Sequence, residues 1–408
     1  MPRNPAEIDT ESADAGWRVG WRRWTGIEPA GRGSPVPTAL KAAEPTRCPD
    51  TSVGHGSRTG RSAPRRPGAS IGTIRTMSDP HMSDPDPAPS DSRPPVLFCT
   101  DTLWEARGDE ITTAMPGIDV VRLIGTDHVP AEQLERVTIA CFSGDAWPDR
   151  SANFMQACIQ SPNLEWLHTF SAGVDHPVFQ SFMARGVTVT TSSGSSASPI
   201  AQTVMMYLLA LTRDLPGWLR AQAEHRWDAR GIRELDGLTI GVVGMGPIGQ
   251  EIARLGQAFG MHAIGMRRTV TGDEPCETWT FDRLHELAGA VDVLALAVPL
   301  TDDTRGLVDA SVFAAMRPGS LFVNIARGEV VDEPALIEAL RAGYLAGAGL
   351  DVFTNEPLEA ESPLWDMPNV IVTPHSSGTT ERSNERATDI FVDNLARRAA
   401  GQPLRNTA

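Results

Sequence analysis

An α/β fold with two doubly wound parallel sheets is what this sequence predicts, and three observations predict it. Short apolar runs alternate with helical stretches from Pro95 onward, the pattern of parallel strands joined by crossover helices. The 408 residues suffice, at roughly 150 per domain, for two or three domains with their own cores. With 41% hydrophobic and 21% charged residues, the chain is excluded from the class that is disordered throughout.

Residues 1–93 stand apart from that pattern, being crowded with Pro, Gly, Ser, Thr and Arg and lacking a sustained apolar period. They cannot bury enough to offset chain entropy, so a disordered extension is expected there. Residues 1–76 hold 12 basic and 7 acidic side chains, net +5. The remainder holds 24 and 44, net -20. The acidic residues and prolines of the first segment argue against an amphipathic transit helix. The change of sign at Met77 suggests a true start at Met77 or Met82.

The first series of strands is expected at PVLFC, IDVVRLI, VTIACFS, LEWLHTF and VTVTT, ending near Ser192. A helical region from about Pro199 to Arg226 then bridges to a second series, LTIGVVG, MHAIGMR, VDVLALAV, SLFVNIA, AGAGLDVF and NVIVTP. A final helix, about Thr379 to Ala400, is free to return to the first unit.

Composition removes several classes of function. A net charge of -15 repels phosphate backbones and anionic membrane surfaces, and the longest apolar run, Val204 to Leu211, is too short to span a bilayer. Neither nucleic acid nor membrane is expected as a partner. Lys41 is the only lysine, so Schiff-base, pyridoxal-phosphate and phosphate-loop lysine mechanisms are excluded from the globular part. Cys48, Cys99, Cys141, Cys158 and Cys276 are odd in number and form no CxxC pair. They read as reduced thiols in a cytoplasm, with no metal site.

The run GMGPIG, Gly244 to Gly249, follows strand LTIGVV and opens a helical stretch from Pro247 to Phe259. In that context Gly244 permits a tight turn, Gly246 lets a pyrophosphate approach the backbone, and Gly249 allows close helix packing. The helix N-terminus faces the anion, and Pro247 sits where its missing N–H costs nothing. About 20 residues on, where an acid would bond the ribose hydroxyls, stand Arg267 and Arg268. A guanidinium pairs with a 2'-phosphate, so NADP(H) is favoured while NAD(H) remains compatible.

Ligands of open α/β sheets sit at the carboxyl ends of strands. Arg327 follows SLFVNIA, Glu356 lies beyond AGLDVF and His375 follows NVIVTP, so all three fall on one edge. A histidine backed by a carboxylate exchanges protons near neutrality, and an arginine grips a carboxylate in two-pronged fashion. Together they suit reduction of a 2-oxo acid. His176 lies near the substrate mouth, whereas His128, His168, His225, His262 and His285 read as surface or core groups.

GMGPIG, VPLTDDTRGLVD, MRPGSLFVNIARGEVVDEPALIEAL, GLDVFTNEPL and SPLWDMPNVIVTPHSSG resemble the D-isomer-specific 2-hydroxyacid dehydrogenases, which include glyoxylate/hydroxypyruvate reductases. The resemblance runs from about Pro95 to Ala400. It implies that His375 exchanges the substrate proton while Glu356 keeps it protonated for reduction, and that Arg327 binds the 2-oxo acid with backbone amides around Ala172, Gly173 and Val174. It further implies that Asp351 contacts the nicotinamide carboxamide, that Met245, Pro247 and Ile248 line the pyrophosphate, that Pro299 lies on the adenosine side, and that the protein is a homodimer.

Departures from the family pattern are Gln202, where glutamate is common, Arg317 for the usual lysine, and the arginine pair, which resembles the NADPH-using reductases. Glu356 stands where formate dehydrogenases have glutamine, which disfavours formate. The resulting expectation is a flavodoxin-like substrate domain from residues 94–195 plus the returning 373–408, and a Rossmann cofactor domain over 196–372. A dinucleotide-sensing binding protein of the corepressor kind is the competing class, disfavoured by the acidic surface.

Overall fold

The computed structural model describes residues 94–408; the extension expected over 1–93, with Lys41 and Cys48, lies outside the described residues. The first sheet comprises β1 (Val96–Thr100), β2 (Asp119–Leu123), β3 (Ile139–Phe142), β4 (Trp166–Thr169) and β5 (Thr188–Thr191), in the order β2-β1-β3-β4-β5. The second comprises β6 (Thr239–Val243), β7 (His262–Met266), β8 (Glu277–Trp279), β9 (Val293–Leu296), β10 (Ser320–Asn324), β11 (Leu345–Leu350) and β12 (Val370–Val372), in the order β12-β11-β10-β9-β6-β7-β8. Every pairing is parallel. The first order is the flavodoxin-like one and the second is the Rossmann order with one strand added at the edge. Both doubly wound sheets are therefore present as expected.

Helices on both faces explain why the strands read as unbroken apolar runs rather than alternating ones: every residue of IACF in β3 and VLAL in β9 is buried. The short edge strand β8 was not anticipated. Its three residues, ETW, carry no apolar run, and it is held through the backbone, with Arg267 N–H donating to the Trp279 carbonyl at 3.0 Å.

The single helical region expected from Pro199 to Arg226 is two helices, Ala197–Thr212 and Leu215–Ala223. Pro216 has no N–H to give to the preceding turn and its ring crowds the carbonyl four residues back, so the first helix cannot run through. Asp214, at φ 51°, makes the corner and its carboxylate caps Gly217 N–H at 3.1 Å. The first of the two is a core helix: Val204, Tyr207 and Leu208 are fully buried in one cluster with Ile240, Val293 and Val323 of the second sheet.

The final helix, Glu381–Ala399, starts at Thr380, whose hydroxyl accepts from Ser383 N–H at 3.1 Å. It returns to the first sheet, burying Phe391 and Leu395 against Leu97, Ile139 and Trp166. The chain end then ties to β5, with Thr191 N–H donating to the Asn406 carbonyl at 2.9 Å. Beneath that helix His168 is 1% exposed, its ring nitrogens 2.9 Å from the Thr190 hydroxyl and 3.0 Å from that of Ser192. Burial pushes its pKa down to about 4, so it sits there as a neutral hydrogen-bonding group. Cys99, Cys141 and Cys158 are free and buried, and burial pushes the Cys99 thiol up to about 12. His128, His225, His262 and His285 are exposed.

Candidate active site

Three neighbouring parallel strands, β10, β11 and β12, end at the same edge, and the chain beyond each carries one of the expected charged groups. Arg327 is three residues past β10, Glu356 six past β11 and His375 three past β12. His375 Nδ1 lies 2.8 Å from Glu356 Oε2, while Glu356 Oε1 accepts from Phe353 N–H at 3.0 Å. The carboxylate is thus braced by its own turn and fixes the imidazole. A carboxylate on Nδ1 sets the tautomer, placing the proton there in the neutral ring and leaving Nε2 as the exchanging atom. His375 has φ 48°, a left-handed conformation that a bulky side chain adopts only under local constraint.

Asp351 supplies that constraint. It is 1% exposed, and its carboxylate accepts from Thr373 Oγ1 at 2.5 Å, Ser376 N–H at 3.0 Å, Ser377 N–H at 3.1 Å and Ser377 Oγ at 2.5 Å. Its backbone carbonyl accepts from His375 N–H at 2.8 Å. The Tyr207 hydroxyl extends this network to Thr373, and the Tyr207 ring lies where a β-carbon on Gly349 would clash at 2.4 Å. Asp351, to which the resemblance assigned a carboxamide contact, is thus also the clamp of the histidine loop. The core helix and β11 together hold the loop in place.

Arg327 reaches across to the loop after β4. Its Nε is 3.3 Å and its Nη2 3.2 Å from the two oxygens of Asp175, and Nη1 donates to the Ala326 carbonyl at 2.7 Å. Gly173 makes this approach possible, because a β-carbon there would lie 2.4 Å from Nη2 and 2.7 Å from Asp175 Oδ1. Burial works to raise the Asp175 pKa, but the Arg327 guanidinium, with the charge of His375 adding to it, holds the carboxyl below the usual range. Asp175 thus lies beside Arg327 and close enough to His375 to feel it. Sequence reasoning named Ala172, Gly173 and Val174 of this loop and missed the acid that follows them; an acid directly after a glycine turn at a strand end was the available signal.

Ala172 is exposed at the mouth of the loop and Val174 half-buried, with the Gly173 carbonyl accepting from Ser171 Oγ at 2.9 Å. His176, expected near the mouth, caps the helix Pro177–Ala184, its Nδ1 accepting from Val178 N–H at 3.2 Å. Burial lowers its pKa, against an opposing contribution from Asp175.

The glycine-rich turn has the form that a pyrophosphate needs. Gly244 has φ 106° and would collide with the Ala297 carbonyl at 2.5 Å if it bore a β-carbon; one on Gly249 would lie 1.8 Å from the Gly244 oxygen. Gly246 is different: it is exposed and has nothing within 4 Å of its β-position, which leaves the backbone open at the N-terminus of the helix Pro247–Ala258. This turn lies at the β6/β9 switch point of the sheet. Pro247 is exposed and Ile248 half-buried, whereas the Met245 side chain is 1% exposed and packs in the core, so only its backbone reaches the turn's outer face. Pro299 is exposed just past β9, its carbonyl accepting from Thr304 Oγ1 at 2.6 Å.

The two arginines after β7 are not equivalent. Arg267 Nη1 is 2.8 Å from Glu274, whose carboxylate also accepts from the N–H groups of Thr271 and Gly272. Those bonds, the Thr271 N–H first among them, hold the Glu274 pKa at about 2. Arg267 is thereby anchored to its own turn through Nη1. Arg268 is 71% exposed and only loosely paired with Asp303 at 3.3 Å. Gln202 and Arg317 make local bonds, to Ser198 Oγ and the Gly289 carbonyl.

Comparison with known proteins agrees with this geometry. Residues 205–377 match the model of the D-isomer specific 2-hydroxyacid dehydrogenase NAD binding domain. An (S)-sulfolactate dehydrogenase of Chromohalobacter salexigens is 36% identical over 246 residues, covering 59% of this chain and 79% of the relative. A D-isomer specific 2-hydroxyacid dehydrogenase of Xanthobacter autotrophicus Py2, solved with NADPH and MES, superposes with TM-score 0.63 at 32% identity, covering 78% of this chain and 98% of that one. The NADPH-dependent glyoxylate/hydroxypyruvate reductase of Sinorhizobium meliloti, solved with NADP and sulfate, gives TM-score 0.62 at 31% identity, covering 77% and 98%. The chain spans about half the length of the D-3-phosphoglycerate dehydrogenases it matches. Matching fold, motif order and overall coverage leave one conclusion: the chain belongs to the D-isomer specific 2-hydroxyacid dehydrogenases, NAD(P)-dependent oxidoreductases.

Proposed function

We propose that the protein reduces a small glyoxylate- or hydroxypyruvate-like 2-oxo acid to its D-2-hydroxy acid, using NADPH in preference to NADH. The observation that carries this reading is the 2.8 Å contact of His375 Nδ1 with Glu356, at the strand edge that Arg327 shares. The open backbone at Gly246, the left-handed Gly244 and the helix N-terminus at Pro247 fit a dinucleotide pyrophosphate. When bound, the nicotinamide supplies the hydride. His375 Nε2 gives its proton to the substrate carbonyl oxygen, and Glu356 offsets the charge of the imidazolium beforehand. Arg327 and the amides of the 172–174 loop hold the carboxylate, aligning the carbonyl for attack. The substrate domain is assigned to the first sheet with the returning last helix, and the cofactor domain to the second sheet.

A panel of 2-oxo acids assayed with both nicotinamides tests the reading. Glyoxylate or hydroxypyruvate should be consumed with NADPH oxidation, and a panel without any turnover would remove it.

For cofactor choice, Arg268 is the more exposed of the pair, Arg267 being anchored to Glu274 through Nη1 alone. Arg268→Asp is expected to lower kcat/KM with NADPH by about 10-fold or more while sparing NADH, the loss of one charge-assisted contact plus repulsion. Equal losses with both cofactors would show that Arg268 plays no part in the discrimination.

A homodimer is the proposed assembly. Among the described residues, Met206, Leu215, Leu219, Trp227 and Ile232 are large, apolar and exposed within one 27-residue stretch, Trp227 at 96%. Exposed apolar side chains at this density along the chain suit burial against a second copy. Light scattering should give twice the chain mass; a monomer at micromolar concentration would refute it.

A further inference from the structure

The geometry points to Asp175 as a positioning residue for Arg327: it fixes the guanidinium by the Nε–Nη2 edge so that the remaining N–H groups meet the carboxylate of a 2-oxo acid. The inference rests on the functional reading above. A guanidinium has five N–H donors. Two of its nitrogens face the Asp175 oxygens at 3.2 and 3.3 Å and the third donates to the Ala326 carbonyl at 2.7 Å, which leaves one N–H on each Nη. Those two form the fork that receives a carboxylate side by side.

The arrangement is built by the chain from both sides. Asp175 lies in the loop after β4 and Arg327 in the loop after β10, 152 residues away. Gly173 lets the guanidinium rest on the loop backbone, where a β-carbon would be 2.4 Å from Nη2. Both side chains are partly open to solvent, at 28% for Arg327 and 33% for Asp175, so a small anion can reach the pair. A long arginine stem loses much rotamer freedom when it is ordered, and an arginine already aligned by a fixed carboxylate spares the substrate that cost. The opposite effect is that a fixed carboxylate repels an anionic substrate. It has the opposite sign in KM, so one measurement separates the two.

The experiment compares the parent enzyme with Asp175→Asn, using glyoxylate and NADPH. The expected result is a rise of about 10-fold in KM for glyoxylate, the loss of one ordering charge-assisted interaction. The cofactor KM and the melting temperature should stay near the parent's, and Asp175→Glu, which keeps the charge, should recover part of the loss. In an Arg327→Lys background, where the fork is gone, Asp175→Asn should add little. An unchanged or lower KM for glyoxylate overturns the proposal. So does a full additive effect in the lysine background, or a parallel rise in the cofactor KM.

Oxamate, a non-reducible analogue, separates this proposal from the functional reading. If the parent reduces no 2-oxo acid, that reading fails on its own. Oxamate titration followed by tryptophan fluorescence then decides about Asp175, with weaker binding in Asp175→Asn supporting the positioning role and equal or tighter binding overturning it. Should Asp175→Asn not fold, Asp175→Ser, which likewise removes the charge from this partly exposed position, carries the same comparison.

Discussion

His375→Asn is expected to lower kcat for 2-oxo acid reduction by about 10³-fold, the magnitude of a lost general acid. Asparagine is the informative replacement. It tolerates the left-handed backbone at φ 48° that alanine would strain, so a loss of activity reports proton transfer rather than a displaced loop. The side chain is 38% exposed, and its removal opens no core cavity. Melting temperature and dinucleotide affinity should match the parent's, because the loop is held by the Asp351 carboxylate rather than by the imidazole. A kcat within 10-fold of the parent would mean that the proton comes from elsewhere.

Arg327→Ala should reduce kcat/KM by a comparable factor, about 10³-fold, through a different route. The substrate would lose a bidentate charge-assisted grip, and the carbonyl its alignment against the imidazole. Asp175, partly buried, would lose the partner that holds its pKa down. Its negative charge would then stand alone beside an anionic substrate, which adds to the loss. The outcome should be read in both constants, KM rising and kcat falling, with dinucleotide binding by calorimetry unaffected. Arg327→Lys should recover only part of the activity, since an ammonium keeps the charge without the planar fork. Full activity in the lysine variant would show that charge alone suffices and that the fork geometry described above is idle.

The sequence carried the sheets well because parallel strands covered on both faces leave continuous apolar runs, and each run from PVLFC to NVIVTP became a strand. β8 escaped since its pairing is held by backbone bonds that any residues can make. The break at Asp214 is legible in Pro216, but the apolar period on either side of it masks the signal. In the site, Arg327, Glu356 and His375 could be found because topology alone puts the ends of parallel neighbours on one edge. Asp351, Asp175 and Glu274 could not be assigned the same way. Their partners are 22 to 152 residues off in Thr373 and Arg327, or lie within a turn whose conformation no motif specifies.

What the sequence determined by itself is the pair of sheets, the glycine turn and the edge on which the charged groups stand. These follow from local periodicity, from positions where a side chain cannot fit, and from the rule that parallel strands end together. Only the tertiary structure decided which arginine is anchored to its own turn and which is the more exposed, that Asp351 clamps the histidine loop, and that Asp175 meets Arg327 across the two sheets. A charged side chain's role depends on which opposite charge lies within a few ångströms, and that distance is set by packing between segments far apart in the chain.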